Sequence, residues 1–182
     1  MRKTTILSLL LLLSVVACAS PEDNVDKATV GEQAKSQDLD GDKLTLQSGN
    51  ISFSGYGPGK SHEGKFTNWT TTIYKANGSV EGGEATIDMS SMETGISELT
   101  AQLKGDAFFQ VDNYPTATFS TIIEGDVANG TLTMRGMTKR ISFPVNASRN
   151  QIRADFTVDL SQFGISHPAT RDEARISFDL RQ

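Results

Sequence analysis

The sequence predicts a mainly β protein, an antiparallel barrel or sandwich of about eight short strands with one short helix. Three observations carry this. Apolar and polar residues alternate with period two over many short segments between Lys43 and Leu180. Gly- and Asn-containing turn signals separate those segments. One stretch departs from period two: Ile96, Leu99 and Leu103 stand at helical offsets.

Taken in order, the chain opens Met1-Arg2-Lys3, and Ile6 to Val16 is almost wholly apolar. A basic start before a short apolar run reads as a secretory signal. The run is shorter than the roughly 20 residues that span a bilayer as a helix. It ends Val15-Val16-Ala17-Cys18-Ala19-Ser20, which resembles a bacterial lipobox, with Val15 where Leu is usual. That resemblance implies cleavage after residue 17 and a diacylglyceryl group on Cys18. By analogy with such lipoproteins, Ala19 in place of Asp favours the outer membrane, facing the periplasm. Two or three acyl chains suffice for stable anchoring. Residues 18–42 show no sustained apolar periodicity, and their seven acids stand against two lysines. They read as a flexible acidic tether. Asp38-Leu39-Asp40-Gly41-Asp42 lacks the Gly and Glu of a calcium loop, with Lys43 and Gly49 at those places.

Residues 43–182 read as the domain. Leu44 with Leu46 and Ile51 with Phe53 begin the alternation. It continues through Phe66 to Tyr74, Ala85 to Met89, Thr116 to Ile122 and Thr131 to Met134. It closes at Ile141 to Val145, Ile152 to Leu160 and Ile176 to Leu180. β-Branched and aromatic residues at period two suit half-buried strands. Turns are expected at Gly55 to Gly59, Asn77-Gly78, Gly82-Gly83, Asn129-Gly130 and Asn150; the two Asn-Gly pairs suit tight hairpins. The segment from Ile96 to Leu103 reads as a short helix at one end of the sheet, followed by an aromatic loop through Phe108, Phe109 and Tyr114.

Composition excludes several function classes. The single Cys leaves no disulfide framework, and two His leave little room for a metal site. A formal charge of −5 argues against a nucleic-acid binder. No Gly-x-Ser-x-Gly elbow, His-Glu-x-x-His helix or phosphate-cradling Gly-Lys-Ser/Thr loop is present. No catalytic residue, cofactor or metal is therefore expected.

The run from Leu103 to Phe119, with Leu103, Phe108-Phe109, Tyr114-Pro115 and a strand ending at Phe119, resembles the YceI-like family. Ser61-His62-Glu63-Gly64-Lys65-Phe66, Gly130 to Lys139, Phe163-Gly164-Ile165 and Asp172 to Ile176 resemble further pieces of it, in the family's order. The resemblance runs from about Leu44 to Leu180. It implies a lipocalin-like, eight-stranded antiparallel barrel with a short helix closing one end. It also implies an elongated apolar cavity for a polyisoprenoid or other long amphiphile. Two features depart from the family: Ala101-Gln102-Leu103 lacks the usual His, and Leu160 stands where Arg is frequent.

The expected cavity lining is Phe53, Phe66, Trp69, Phe108, Phe109, Tyr114, Phe119, Phe143 and Phe156, with ordinary core packing the alternative for each. Lys60 and His62, read as loop residues, are the candidate polar groups at the cavity mouth. The leading expectation is a lipid-anchored periplasmic carrier of an isoprenoid or other long-chain amphiphile, with a homodimer left open. The alternatives are a filled-barrel interaction or stress-associated module, and an enzyme acting on a lipid or quinone with His62 as base.

Overall fold

The computed structural model describes residues 25–31, 41–46, 48–57 and 59–182. The expected signal, Cys18 and much of the expected tether lie outside them. The described chain forms β1 (Thr29–Gly31), β2 (Asp42–Leu46), β3 (Ser48–Gly57), β4 (Lys60–Phe66), β5 (Trp69–Ala76), β6 (Ser79–Asp88) and β7 (Met92–Glu93). Helix α1 (Ser97–Lys104) follows, then β8 (Thr116–Glu124), β9 (Val127–Met134), β10 (Met137–Pro144), β11 (Asn146–Ser148), β12 (Gln151–Asp159) and β13 (Glu173–Arg181).

These strands make two antiparallel sheets, ordered β1-β10-β9-β8-β6-β5-β2 and β11-β12-β13-β3-β4-β7. Among the described residues no continuous ring of hydrogen bonds joins them; the chain itself makes the corners. Leu46 opposes Thr71 and, farther along, Ile51 opposes Phe66, so one register runs through β2/β5 and β3/β4. This is a single long hairpin bent from one sheet into the other. Its corner is pinned by Thr67 N–H to the Ser91 carbonyl (3.3 Å), Asp88 N–H to the Asn68 carbonyl (3.1 Å) and Asn68 Nδ2 to Asp88 Oδ2 (3.0 Å). A second corner lies at Val145, between β10 and β11, where Val145 N–H reaches the Asp126 carbonyl at 2.7 Å. Counting each bent strand once, eight strands surround the interior: β2/β3, β4/β5, β6, β8, β9, β10/β11, β12 and β13. The expected mainly β, eight-stranded barrel with a short helix is the architecture found.

The N-terminal segment differs from a free tether. β1 pairs antiparallel with β10 of one sheet, while Ala28 N–H donates to the Thr157 carbonyl (2.7 Å) and Thr157 N–H to the Asp26 carbonyl (2.9 Å) on β12 of the other. Ala28 is buried and Lys27 pairs with Glu173. Residues 26–31 thus stitch the seam between the two sheets. Only Ala28 and Val30 turn inward, too few to show as an alternation in sequence.

Of the turn expectations, some hold and three are corrected in whole or in part. Asn77-Gly78 is a hairpin turn, both residues at positive φ (53° and 80°). Asn129-Gly130 instead lies inside β9; the turns on either side are Gly125-Asp126 and Arg135-Gly136. A Cβ on Gly130 would sit 2.2 Å from the Ser120 carbonyl oxygen, so this glycine serves a close approach of neighbouring strands. Gly82-Gly83 likewise lies within β6, and Gly55 and Gly57 within β3.

Candidate functional site

Period-two alternation carries one set of side chains into the barrel from every strand. On β12 these are Ile152, Phe156 and Val158, and on β13 Ile176, Phe178 and Leu180. Four rings occupy much of the interior. Phe143 and Phe156 stack at 3.9 Å between centroids, Phe178 meets both edge-on at 6.3 and 6.5 Å, and Phe119 tilts against Phe143 at 5.5 Å. Among them lies a cavity of about 170 Å³ lined chiefly by apolar side chains, with Thr71, Glu84 and Thr121 the polar residues of its wall.

A second cavity of about 220 Å³ opens at the helix end, a vestibule to the first. Leu99, Leu103, Phe108 and Phe109 bring apolar surface from α1 and the segment after it. α1 carries Glu98 in its first turn and Lys104 in its last, the arrangement its dipole favours. Leu99 and Leu103 face the vestibule as the spacing predicts, but Ile96 precedes the helix and is exposed. The other side of the vestibule is polar: Tyr56 at the end of β3, His62 on β4, and His167, Thr170 and Arg171 from the loop before β13. Arg171 N–H donates to the Tyr56 carbonyl (3.0 Å), and its guanidinium carbon lies 5.0 Å from the Tyr56 ring centroid. His167 stacks on Phe108 at 5.4 Å, and its Nδ1 accepts the Ala169 N–H at 3.2 Å.

Phe53, Phe109 and Leu160 line both cavities and form the wall between them. Phe53 also tilts against Phe66 at 5.3 Å, above Gly64 on the facing strand. A Cβ on Gly64 would lie 2.2 Å from the Phe53 ring, so this glycine is what lets the ring lie flat across β4.

The structure brings six of the nine expected aromatics, Phe53, Phe66, Phe109, Phe119, Phe143 and Phe156, to the central cavity. Phe108 faces the vestibule only. Trp69, at the corner where β5 begins, packs beside the core and lines neither cavity. Tyr114 also lines neither; it lies against Gly136 in the β9–β10 turn, where a Cβ would approach it to 2.8 Å. His62 reaches the vestibule from a strand and not from the expected loop, whereas Lys60, at the exposed start of the same strand, does not. Phe178 and Arg171 were missed. Phe178 carries the alternation signal of its strand, but the irregular loop before β13 gives no signal for Arg171. Among the described residues no group of His, Cys, Asp or Glu is placed to hold a metal ion, and no helix is long and apolar enough to cross a membrane.

Residues 42–182 match the family described as the YceI-like domain. Comparison with curated proteins gives no match. Among solved structures, BcnA of Burkholderia cenocepacia is similar at 21% identity, covering 72% of this chain and 94% of that one, with a TM-score of 0.65. A polyisoprenoid binding domain from Saccharophagus degradans, implicated in plant cell wall breakdown, is 15% identical over 75% of this chain and 95% of its own, with a TM-score of 0.59. The YceI protein of Campylobacter jejuni is 16% identical over 92% and 99%, with a TM-score of 0.53. At these identities the likeness is one of fold.

Proposed function

This chain belongs to the YceI-like family, and from that premise we propose that it is a non-catalytic carrier that holds an isoprenoid or other long-chain amphiphile in its barrel. The observation that carries this reading is the largely apolar central cavity, which shares Phe53, Phe109 and Leu160 with a polar-rimmed vestibule. A hydrocarbon chain gains about 0.8 kcal/mol per methylene removed from water, so such a wall binds by surface area with few polar contacts. The similar fold of the Saccharophagus polyisoprenoid binding domain supports the same ligand class.

The volumes add a condition. Ligand pockets run from about 300 Å³ upward, and neither cavity reaches that, although the two in series exceed it. A long chain must therefore displace the Phe53–Phe109–Leu160 wall. In the carrier reading Cys18 anchors the protein to the outer membrane of the envelope, facing the periplasm. The segment up to residue 25 then sets the reach of the barrel.

The stacked Phe143–Phe156 pair favours a second reading, an interaction module whose barrel stays filled. One experiment separates the two. Native mass spectrometry and lipid extraction of gently purified protein should yield one long-chain lipid per barrel. A clean unliganded mass, with no uptake of added prenols or fatty acids, would establish the filled barrel instead.

A further inference from the structure

We propose that the vestibule is an anion site, which takes the negatively charged head group of an amphiphile and uses Arg171, His62 and His167 as donors. The inference rests on the carrier reading and narrows its ligand class. The two histidines of the chain stand far apart in sequence, on β4 and in the loop before β13, yet line one cavity. His167 accepts the Ala169 N–H at Nδ1, so its ring proton lies on Nε2, free to donate, and stacking on Phe108 fixes the ring plane. Arg171 has no carboxylate partner among the described residues; its aromatic contact with Tyr56 and its backbone bond hold it at the rim. The one carboxylate in the vestibule lining, Glu173, is paired with Lys27.

The balance of the site is therefore positive. A cationic head group would meet Arg171 without compensation. A neutral alcohol would gain ordinary hydrogen bonds. A phosphate or carboxylate would gain charge-assisted bonds, with the flat guanidinium able to grip two oxygens at once. Leu99, Leu103 and Phe109 supply the apolar wall along which the first part of the chain would pass toward the barrel.

The test compares farnesyl phosphate with farnesol, two probes with one chain and different heads, by calorimetry at pH 7 on delipidated protein. The phosphate should bind about tenfold tighter or more, as expected for hydrogen bonds to a charged group. Arg171→Gln, and separately the His62→Ala/His167→Ala pair, should weaken farnesyl phosphate binding more than farnesol binding and so erode that advantage. Both variants change surface or rim residues, and a matched melting temperature confirms that they fold. Equal wild-type affinity for the two probes, or an advantage that survives both variants, overturns the anion site and leaves the carrier reading standing. Uptake of neither probe overturns both.

Discussion

Thr71 is 6% exposed, lines the central cavity, and its hydroxyl has no hydrogen-bond partner among the described residues. An unsatisfied buried hydroxyl costs about 1–3 kcal/mol. Thr71→Val keeps the shape and removes that cost, so it should raise the midpoint of chemical denaturation; a lower midpoint would show that the hydroxyl is satisfied. Asp179 is the opposite case. It accepts from Arg181 Nε and Nη2 (3.1 and 2.9 Å), from Gln151 Nε2 (2.6 Å) and from Arg153 Nε (3.1 Å). Hydrogen bonds from Arg181 first, then from Gln151, hold its carboxyl well below the usual carboxylate range. A depressed folded value contributes stability that is fully present above the unfolded value, about 3.9, and is lost as pH falls toward the folded one. Asp179→Asn should therefore lower the melting temperature at pH 7, and the gap from wild type should close progressively below about pH 4. A gap independent of pH would mean that packing, and not charge, sets the difference.

Elements take their shape here from corners and seams. The long hairpin from β2 to β5 holds one register and still bends, because Thr67 and Asn68 exchange the ladder for bonds to Ser91 and Asp88. The bend places β3 and β4 at the vestibule, with Phe53 over Gly64. The seam segment matters in the same way, since residues 26–31 bond to β10 and β12 at once. Ala28→Leu should overpack that seam and cost about 1–3 kcal/mol in a denaturant titration. A freely moving tether at this position would show no cost.

Across the molecule, charge divides the chain. The barrel domain carries 13 basic against 15 acidic residues from Lys43 onward, while residues 18–42 carry most of the net charge. If Cys18 bears the lipid, Cys18→Ser should move the protein from the membrane to the soluble fraction on cell fractionation, with the melting temperature of the barrel unchanged. Retention in the membrane would exclude that anchor.

Much of the barrel was legible because inward alternation is a local property. Ile152, Phe156 and Val158 face one way whatever the neighbouring strand does, and Phe53, Phe66, Phe119 and Phe143 follow the same rule. The Asn77-Gly78 turn was legible for a like reason: positive φ at both residues is the local demand that Asn-Gly meets. The same dipeptide misled at Asn129-Gly130, where the glycine answers the Ser120 carbonyl on another strand. The seam, the wall of Phe53, Phe109 and Leu160, and the meeting of His62, His167 and Arg171 belong to this second kind. By itself the sequence determined the strand content, the inward faces, the helix and the family likeness, all set by spacing along one segment. The tertiary structure alone decided which side chains share a cavity, how much space they leave, and that residues 26–31 stitch one seam between the sheets, because each depends on segments distant in sequence meeting at a particular register.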